Sequence, residues 1–252
     1  MTLSPRFFLP AVLTLVMLVT LLGLGTWQVQ RLAWKLGQID KITARQNSPI
    51  QELNTAQDIA ALREPMQHYQ KARLRGTFGP QQVFWYTQIH NPPAGLSPQY
   101  RRGFHVLSPF YLTDGSAIMI DRGFVPVALK DALANPPEGE QTLAVVLRWP
   151  DQRGVFDAED APFDDLFYVR DPKVIGQHWG VALPPVIGEL AIDDSPEATP
   201  WPRGGQTRLV LNNRHLQYAV TWYGLAVVLV FISGLWHIRA WKAHKLQEKL
   251  RK

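Results

Sequence analysis

The sequence predicts a membrane protein of α+β class, in which two terminal transmembrane α-helices flank an extracytoplasmic, mainly antiparallel β domain, barrel-like or an open sheet. Three observations predict it. First, two apolar stretches, residues 7–29 (FFLPAVLTLVMLVTLLGLGTWQV) and 216–238 (ending YAVTWYGLAVVLVFISGLWHI), stand at opposite ends of a 252-residue chain, and neither contains Asp, Glu, Lys or Arg. A bilayer core of about 30 Å needs about 20 apolar residues as helix, so each stretch can span. Second, residues 31–214 are polar enough to bring the mean hydropathy of the whole chain to −0.11. They are numerous enough for one globular domain with its own core. Third, that middle segment holds several short β-forming runs separated by Pro- and Gly-containing turns, the pattern of a compact antiparallel sheet or barrel.

The first stretch has a rival reading as a cleaved signal peptide. Its apolar run exceeds the usual 7–15 residues and no small-x-small site ends it, so it is taken as a retained helix. A mitochondrial leader is not indicated, because no Arg- and Ser-rich segment precedes it. Trp34 to Gln46 is polar and helix-compatible, and Ala56 to Leu62 predicts a short helix. Tyr69 to Phe78 alternates, with Ala72, Leu74 and Gly76 on one face. Val83 to Gln88 is rich in β-formers. Phe104 to Leu112 carries Pro109, which predicts an edge strand, a bend or two pieces. Ser116 to Val125 follows the turn signal Asp114-Gly115 and predicts a hairpin with the strand before it. Thr142 to Trp149 is a further strand, and Leu166 to Val169 and Thr207 to Leu211 predict two short ones. Lys173 to Trp179 predicts one or two helical turns. Asn91 to Pro98, Asn135 to Gly139 and Ala182 to Gly205 read as connections.

Charge orients the chain. The formal net charge is +5, and Arg239, Lys242, Lys245, Lys249, Arg251 and Lys252 crowd residues 239–252 against Glu248 alone. A basic tail directly after an apolar helix reads as a cytoplasmic anchor at anionic lipid. Two spans then return the N-terminus to the cytoplasm and leave the middle domain outside. A bacterial inner membrane, with the domain periplasmic, fits this arrangement. Charge in the remainder is mixed, which argues against a nucleic-acid partner. The chain has no cysteine, which excludes thiolate metal sites, disulfides and cysteine nucleophiles.

No catalytic signature is present: no G-x-S-x-G, no H-E-x-x-H and no phosphate-binding G-x-x-x-x-G-K-[ST]. The chain is therefore read as a non-enzyme. The pairs Asp164-Asp165 and Asp193-Asp194 read as solvated turn residues, and Asp121-Arg122 before Gly123 reads as an exposed strand-end pair. His68, His90, His105 and His178 lie at no metal-ligand spacing and read as ordinary polar or half-buried residues. His215 differs. It begins the second apolar helix, and His215, Tyr218 and Trp222 follow an i, i+3, i+7 spacing on one helix face. An imidazole at the edge of hydrocarbon is costly unless bonded or ligating. From the residues alone, two readings of this group stand side by side: an aromatic interface belt with a helix cap, or a ligand site. His237 lies 22 positions on, roughly 33 Å along a helix, so it cannot share a metal with His215 and reads as an interfacial residue. The first helix ends at the same level with Gly23, Gly25, Trp27 and Gln28, the glycines allowing close helix approach. Arg31 and Lys35, just beyond, can meet lipid phosphates or the carboxylates of a ligand.

Four segments resemble the Surfeit-locus family of assembly factors for haem–copper cytochrome oxidase. They are Gly25-Thr26-Trp27-Gln28 with Arg31, Trp34 and Lys35, then Gly103-Phe104-His105-Val106 through Asp121-Arg122-Gly123-Phe124-Val125-Pro126. Leu166-Phe167-Tyr168-Val169-Arg170-Asp171 is the third, and Asn212 through Trp222 (NNRHLQYAVTW) the fourth. They span nearly the whole chain in the family's order. Two departures are Phe124, where many members carry Trp, and the absence of a Trp around Phe163 to Phe167. The resemblance implies a factor that helps build the oxidase catalytic subunit, with cytochrome oxidase subunit I and haem a synthase as candidate partners and haem a as the group carried. It also implies His215 as axial metal ligand. The apolar ring would then rest on Trp27, Tyr218 and Trp222, and Arg31 or Arg214 would meet its carboxylates. The alternatives are a cofactor-free scaffold for nascent subunit I and an exported enzyme tethered by two helices.

Overall fold

The computed structural model describes residues 5–88, 100–150, 152–191, 201–205 and 213–250. The expected strand Thr207–Leu211, His90 and the Asp193-Asp194 pair lie outside the described residues. In chain order the elements are α1 (Pro5–Gln46), β1 (Gln51–Glu52), α2 (Ala56–Ala60), α3 (Glu64–Gln67), β2 (Lys71–Phe78), β3 (Val83–Gln88), β4 (Arg102–Leu112) and β5 (Ala117–Pro126). There follow β6 (Glu140–Arg148), β7 (Leu166–Phe167), α4 (Pro172–Trp179), β8 (Ile187–Leu190) and α5 (His215–Leu250). The chain divides into two units, residues 1–40 with 211–252, and residues 41–210.

The first unit is built on α1 and α5. Both are long and apolar enough to cross a membrane. At 42 and 36 residues they also exceed a single span, running to about 63 and 54 Å against a hydrocarbon core of about 30 Å. The polar stretch Trp34–Gln46 is therefore one continuous helix with the apolar stretch before it. It contains no proline, and Gln, Lys, Leu and Ala are good helix formers. The two helices meet along narrow seams. On α1, Thr14, Leu18, Leu21, Gly25, Gln28 and Leu32 are buried or half-buried, with Leu24 half-buried beside Gly25. On α5 the matching set is His215, Ala219, Trp222, Ala226, Leu229, Ser233 and His237. Steps of three and four that average near the 3.6-residue helical period keep one stripe of each helix on its partner.

Three polar contacts fix the register as antiparallel. Thr14 Oγ1 lies 3.0 Å from Ser233 Oγ, Thr26 Oγ1 3.1 Å from the Tyr223 hydroxyl, and His215 Nδ1 2.8 Å from Gln28 Oε1. Of the two glycines expected to allow close approach, only Gly25 does so. A Cβ there would stand 2.8 Å from the Tyr223 ring, whereas one on Gly23 would meet nothing within 4 Å. Gly23 lies off the seam, about half a turn away. Because the chain is cysteine-free, the pairing has a clean test. Thr14→Cys with Ser233→Cys should form a disulfide on mild oxidation, so that protease cleavage within residues 41–210 no longer separates the two helices on a gel. Thr20→Cys with Ser233→Cys should leave them separable, since Thr20 is off the seam.

The second unit is a small barrel. Strands run in the order β1-β2-β6-β8-β5-β4-β3-β7, and an additional β2–β4 pairing closes β2, β6, β8, β5 and β4 into a ring. Antiparallel pairing predominates, as expected; β1–β2, β3–β7 and β5–β8 are parallel. The alternation expected in β2 is present: Ala72, Leu74 and Gly76 point inward and their neighbours outward. Leu74, Phe110, Ile118, Ile120, Val145 and Leu147 pack one core cluster, and Val83, Leu107, Met119, Phe167, Ile175 and Ile187 a second. The expected hairpin turns at Asp114-Gly115, where Gly115 takes φ +81° and Leu112 N–H donates to Ser116 O.

Two expectations are corrected. Pro109 neither ends β4 nor puts it at an edge, for β4 is unbroken and pairs on both sides. On one side its partner is β5. On the other, Arg102–Leu107 pairs with β3 and Phe110–Leu112 with β2. Pro109 falls in the gap between those two partners, where its missing N–H interrupts no ladder, and its carbonyl still accepts from Gly79 N–H at 2.9 Å. The segment Ala182–Gly205, read as a connection, contains β8, which lies between β5 and β6 inside the ring. Its two preceding prolines and Gly188 hide a strand of four residues.

Candidate functional site

His215 is the first residue of α5, where its backbone N–H donates to Asn213 Oδ1 at 3.3 Å. Its ring is half-buried on the helix seam. Nδ1 lies 2.8 Å from Gln28 Oε1. An amide oxygen only accepts, so Nδ1 is the donor in this contact, and Nε2 is the nitrogen left out of it. That bond also fixes the plane of the ring, the part that an outer hydrogen-bond acceptor plays for a metal-binding histidine. Gln28 is itself buried, a polar residue on the inner stripe of an apolar helix.

The other expected site residues divide. Trp222 lies on the same seam as His215 and is half-buried. Tyr218 is 51% exposed and Trp27 49%, so both present ring surface away from the seam. His215 thus shares its stripe with Ala219 and Trp222, and Tyr218 flanks it. Arg31 stands over the rings of Trp27 at 5.7 Å and Trp34 at 5.4 Å, a cation between two aromatic faces about two turns apart on α1. Arg214 is exposed. The sequence reading gave Gln28 no role in the site. Its signal was available: an amide at heptad distance from Leu21 in a stretch otherwise fit for lipid requires a partner.

At the other end of α5, His237 Nδ1 donates to Ser233 O at 2.8 Å, one turn back along its own helix. Among the described residues no group of three His, Cys, Asp or Glu is placed to hold a metal ion.

The barrel contains a second constellation that overturns an expectation. Asp121 and Arg122 are not an exposed strand-end pair: they are 1% and 5% exposed, at the centre of a strand buried throughout. Asp121 accepts from His105 Nδ1 at 2.8 Å, from Arg170 Nη1 at 3.1 Å and from Gly123 N–H at 2.9 Å. Arg170 Nη1 also donates to Glu189 Oε1, and its guanidinium lies 4.2 Å over the Trp85 ring. Burial alone pushes the Asp121 carboxyl up. The His105 imidazole, the Arg170 charge and the Gly123 N–H outweigh it and hold the group below its ordinary value. Arg122 donates from Nη2 to Ala134 O at 2.8 Å, and burial draws its guanidinium down to about 10, still charged at neutral pH. His105 is accordingly a member of a network rather than an isolated polar residue. The Asp121, Arg170 and Glu189 side chains are only 2–6% exposed, so the cluster acts as a clamp joining β4, β5, β8 and the segment after β7.

A sequence model of the SURF1 family matches residues 15–227, a span that includes both Gln28 and His215. The chain is 32% identical over 232 residues to Surfeit locus protein 1 of Homo sapiens, covering 85% of this chain and 73% of that protein. It is 30% identical over 233 residues to Surfeit locus protein 1 of Xenopus tropicalis, covering 87% and 73%. To a SURF1-like protein of Caenorhabditis elegans it is 29% identical over 242 residues, covering 88% and 72%.

Proposed function

Because the chain belongs to the SURF1 family, we propose that it is an assembly factor for haem–copper cytochrome oxidase that holds haem a through His215 at the outer membrane edge and helps insert it into the catalytic subunit. Family membership supports the assembly role, and two membrane-length helices support membrane association. The single observation that carries the haem reading is the imidazole itself. His215 has Nδ1 bonded to Gln28, which leaves Nε2 as the nitrogen that a haem iron would take from the neutral ring.

The remaining residues fit a cargo with an apolar ring and two carboxylates. Trp27 and Tyr218 offer exposed ring surface, Trp222 borders the histidine on the seam, and Arg31 and Arg214 carry the complementary charge. One protein ligand rather than two suits a factor that must release what it holds. The basic tail supports a cytoplasmic C-terminus, with residues 31–214 on the opposite side of the inner membrane. Subunit I is then the recipient and haem a synthase the supplier. No catalytic step is assigned to this chain.

The test is optical. Wild-type protein purified in detergent from cells making haem a should carry a haem absorption spectrum, and His215→Ala should lose it. Gln28→Leu should weaken haem retention about tenfold while leaving a bound spectrum at saturating haem. Equal haem content in His215→Ala would overturn the reading. A colourless wild-type protein that still co-purifies with subunit I would leave the scaffold role instead.

A further inference from the structure

Between β6 and β7 the barrel presents apolar side chains that pack on nothing. Phe156 and Phe163 are fully exposed and Val155 nearly so. Isolated exposed apolar residues are ordinary, but two bare phenylalanines and a valine within nine residues are not. Neither ring serves the domain's own core. Both nevertheless sit on a braced loop. Arg153 donates from Nη1 to Ala158 O at 2.6 Å and from Nη2 to Asp160, while Asp160 Oδ1 accepts from Tyr168 N–H at 2.8 Å. Gly154 N–H donates to Asp157 Oδ2 at 2.6 Å, closing the turn that carries Val155 and Phe156. Ala161 and Leu166 bridge the base of the turn that carries Phe163, and His178 Nε2 lies 2.8 Å from Asp165 Oδ1 at its far side.

We propose that residues 153–165 are a docking loop for a protein partner whose apolar cleft is bordered by lysine or arginine. Three arguments support it. Aromatic side chains have only two rotatable bonds, and here their backbone is already braced, so little entropy is lost when a partner closes on them. The two rings fall within one footprint: seven residues extend at most about 25 Å, and a standard interface of about 800 Å² per partner is about 30 Å across. Charge selects the partner. Residues 153–165 carry five carboxylates against one arginine, in a chain of net charge +5. Such a rim repels an anionic bilayer surface and attracts a basic one. The inference does not rest on haem binding.

Photocross-linking of the full-length protein in its native membranes tests it, with p-benzoyl-phenylalanine in place of Phe156 or of Phe163. Both positions should yield an adduct to the same protein, joined at a peptide in which apolar residues are flanked by Lys or Arg. Glu159→Lys combined with Asp164→Lys should lower the yield at least about fivefold, and so should raised salt. Adducts to lipid, no adduct from either position, or a yield indifferent to charge reversal would each overturn the proposal.

Discussion

Replacing Asp121 with alanine should lower the stability of the barrel by about 3–5 kcal/mol, the cost of removing one partner from a buried ionic cluster. The carboxylate accepts from His105, Arg170 and Gly123, and its side chain is only 2% exposed. Its loss takes one carboxylate from the buried Arg170 charge, whose side chain is 3% exposed. For a unit of this size the melting temperature of the detergent-solubilised protein should fall by about 10 °C. The same residue gives the barrel an acid limit. Its folded-state pKa lies below the unfolded value of 3.8. The stabilisation is therefore complete above about pH 4 and is lost as pH falls through the lower folded value. Asp121→Asn, which cannot titrate there, should start less stable at neutral pH and lose less on acidification. A wild-type acid-melting slope retained in Asp121→Asn would mean that other carboxylates set the limit.

Gly123→Ala should cost about 3 kcal/mol or more. Gly123 has φ +116°, and a Cβ on it would lie 2.0 Å from the Arg203 carbonyl oxygen and 2.5 Å from the Gly204 nitrogen. Both obstacles are backbone, held by the reciprocal 3.0 Å hydrogen bonds between Phe124 and Arg203. Backbone strain and overpacking, each about 1–3 kcal/mol, therefore add at one position. Gly115→Ala separates the two effects. Its φ is +81°, but a Cβ there meets nothing within 4 Å, so strain alone acts and about 1 kcal/mol is expected. Equal melting temperatures for the two variants would show that the approach of Arg203 yields easily.

The contrast between these residues explains what could be read in advance. Ala72, Leu74 and Gly76 announce a strand because alternation is a local property, visible within eight residues. The apolar helices are legible for the same reason. Asp121 is not, because its side-chain partners His105 and Arg170 lie 16 and 49 positions away in sequence, and an isolated Asp-Arg pair defaults to the surface. At the candidate site, His215 stood out as an imidazole beside hydrocarbon. Which helix face it occupies depends on where the partner helix packs, and that contact selects Ala219 and Trp222 over Tyr218. Gln28 completes the histidine only across 187 positions. The exposed Phe156 and Phe163 carry no local signature, since burial of a phenylalanine is the ordinary expectation.

The place of β8 in the ring sets an order of events for the nascent chain. Ile187–Leu190 pairs with β5 on one side and β6 on the other, strands that are complete by Pro126 and Arg148. Until some forty further residues have been made, both neighbours present bare ladder edges, the surfaces on which unfinished sheets stick to one another. Four late residues thus act as the bung of the cask, and the interval before they arrive is when this protein is most vulnerable to misassembly.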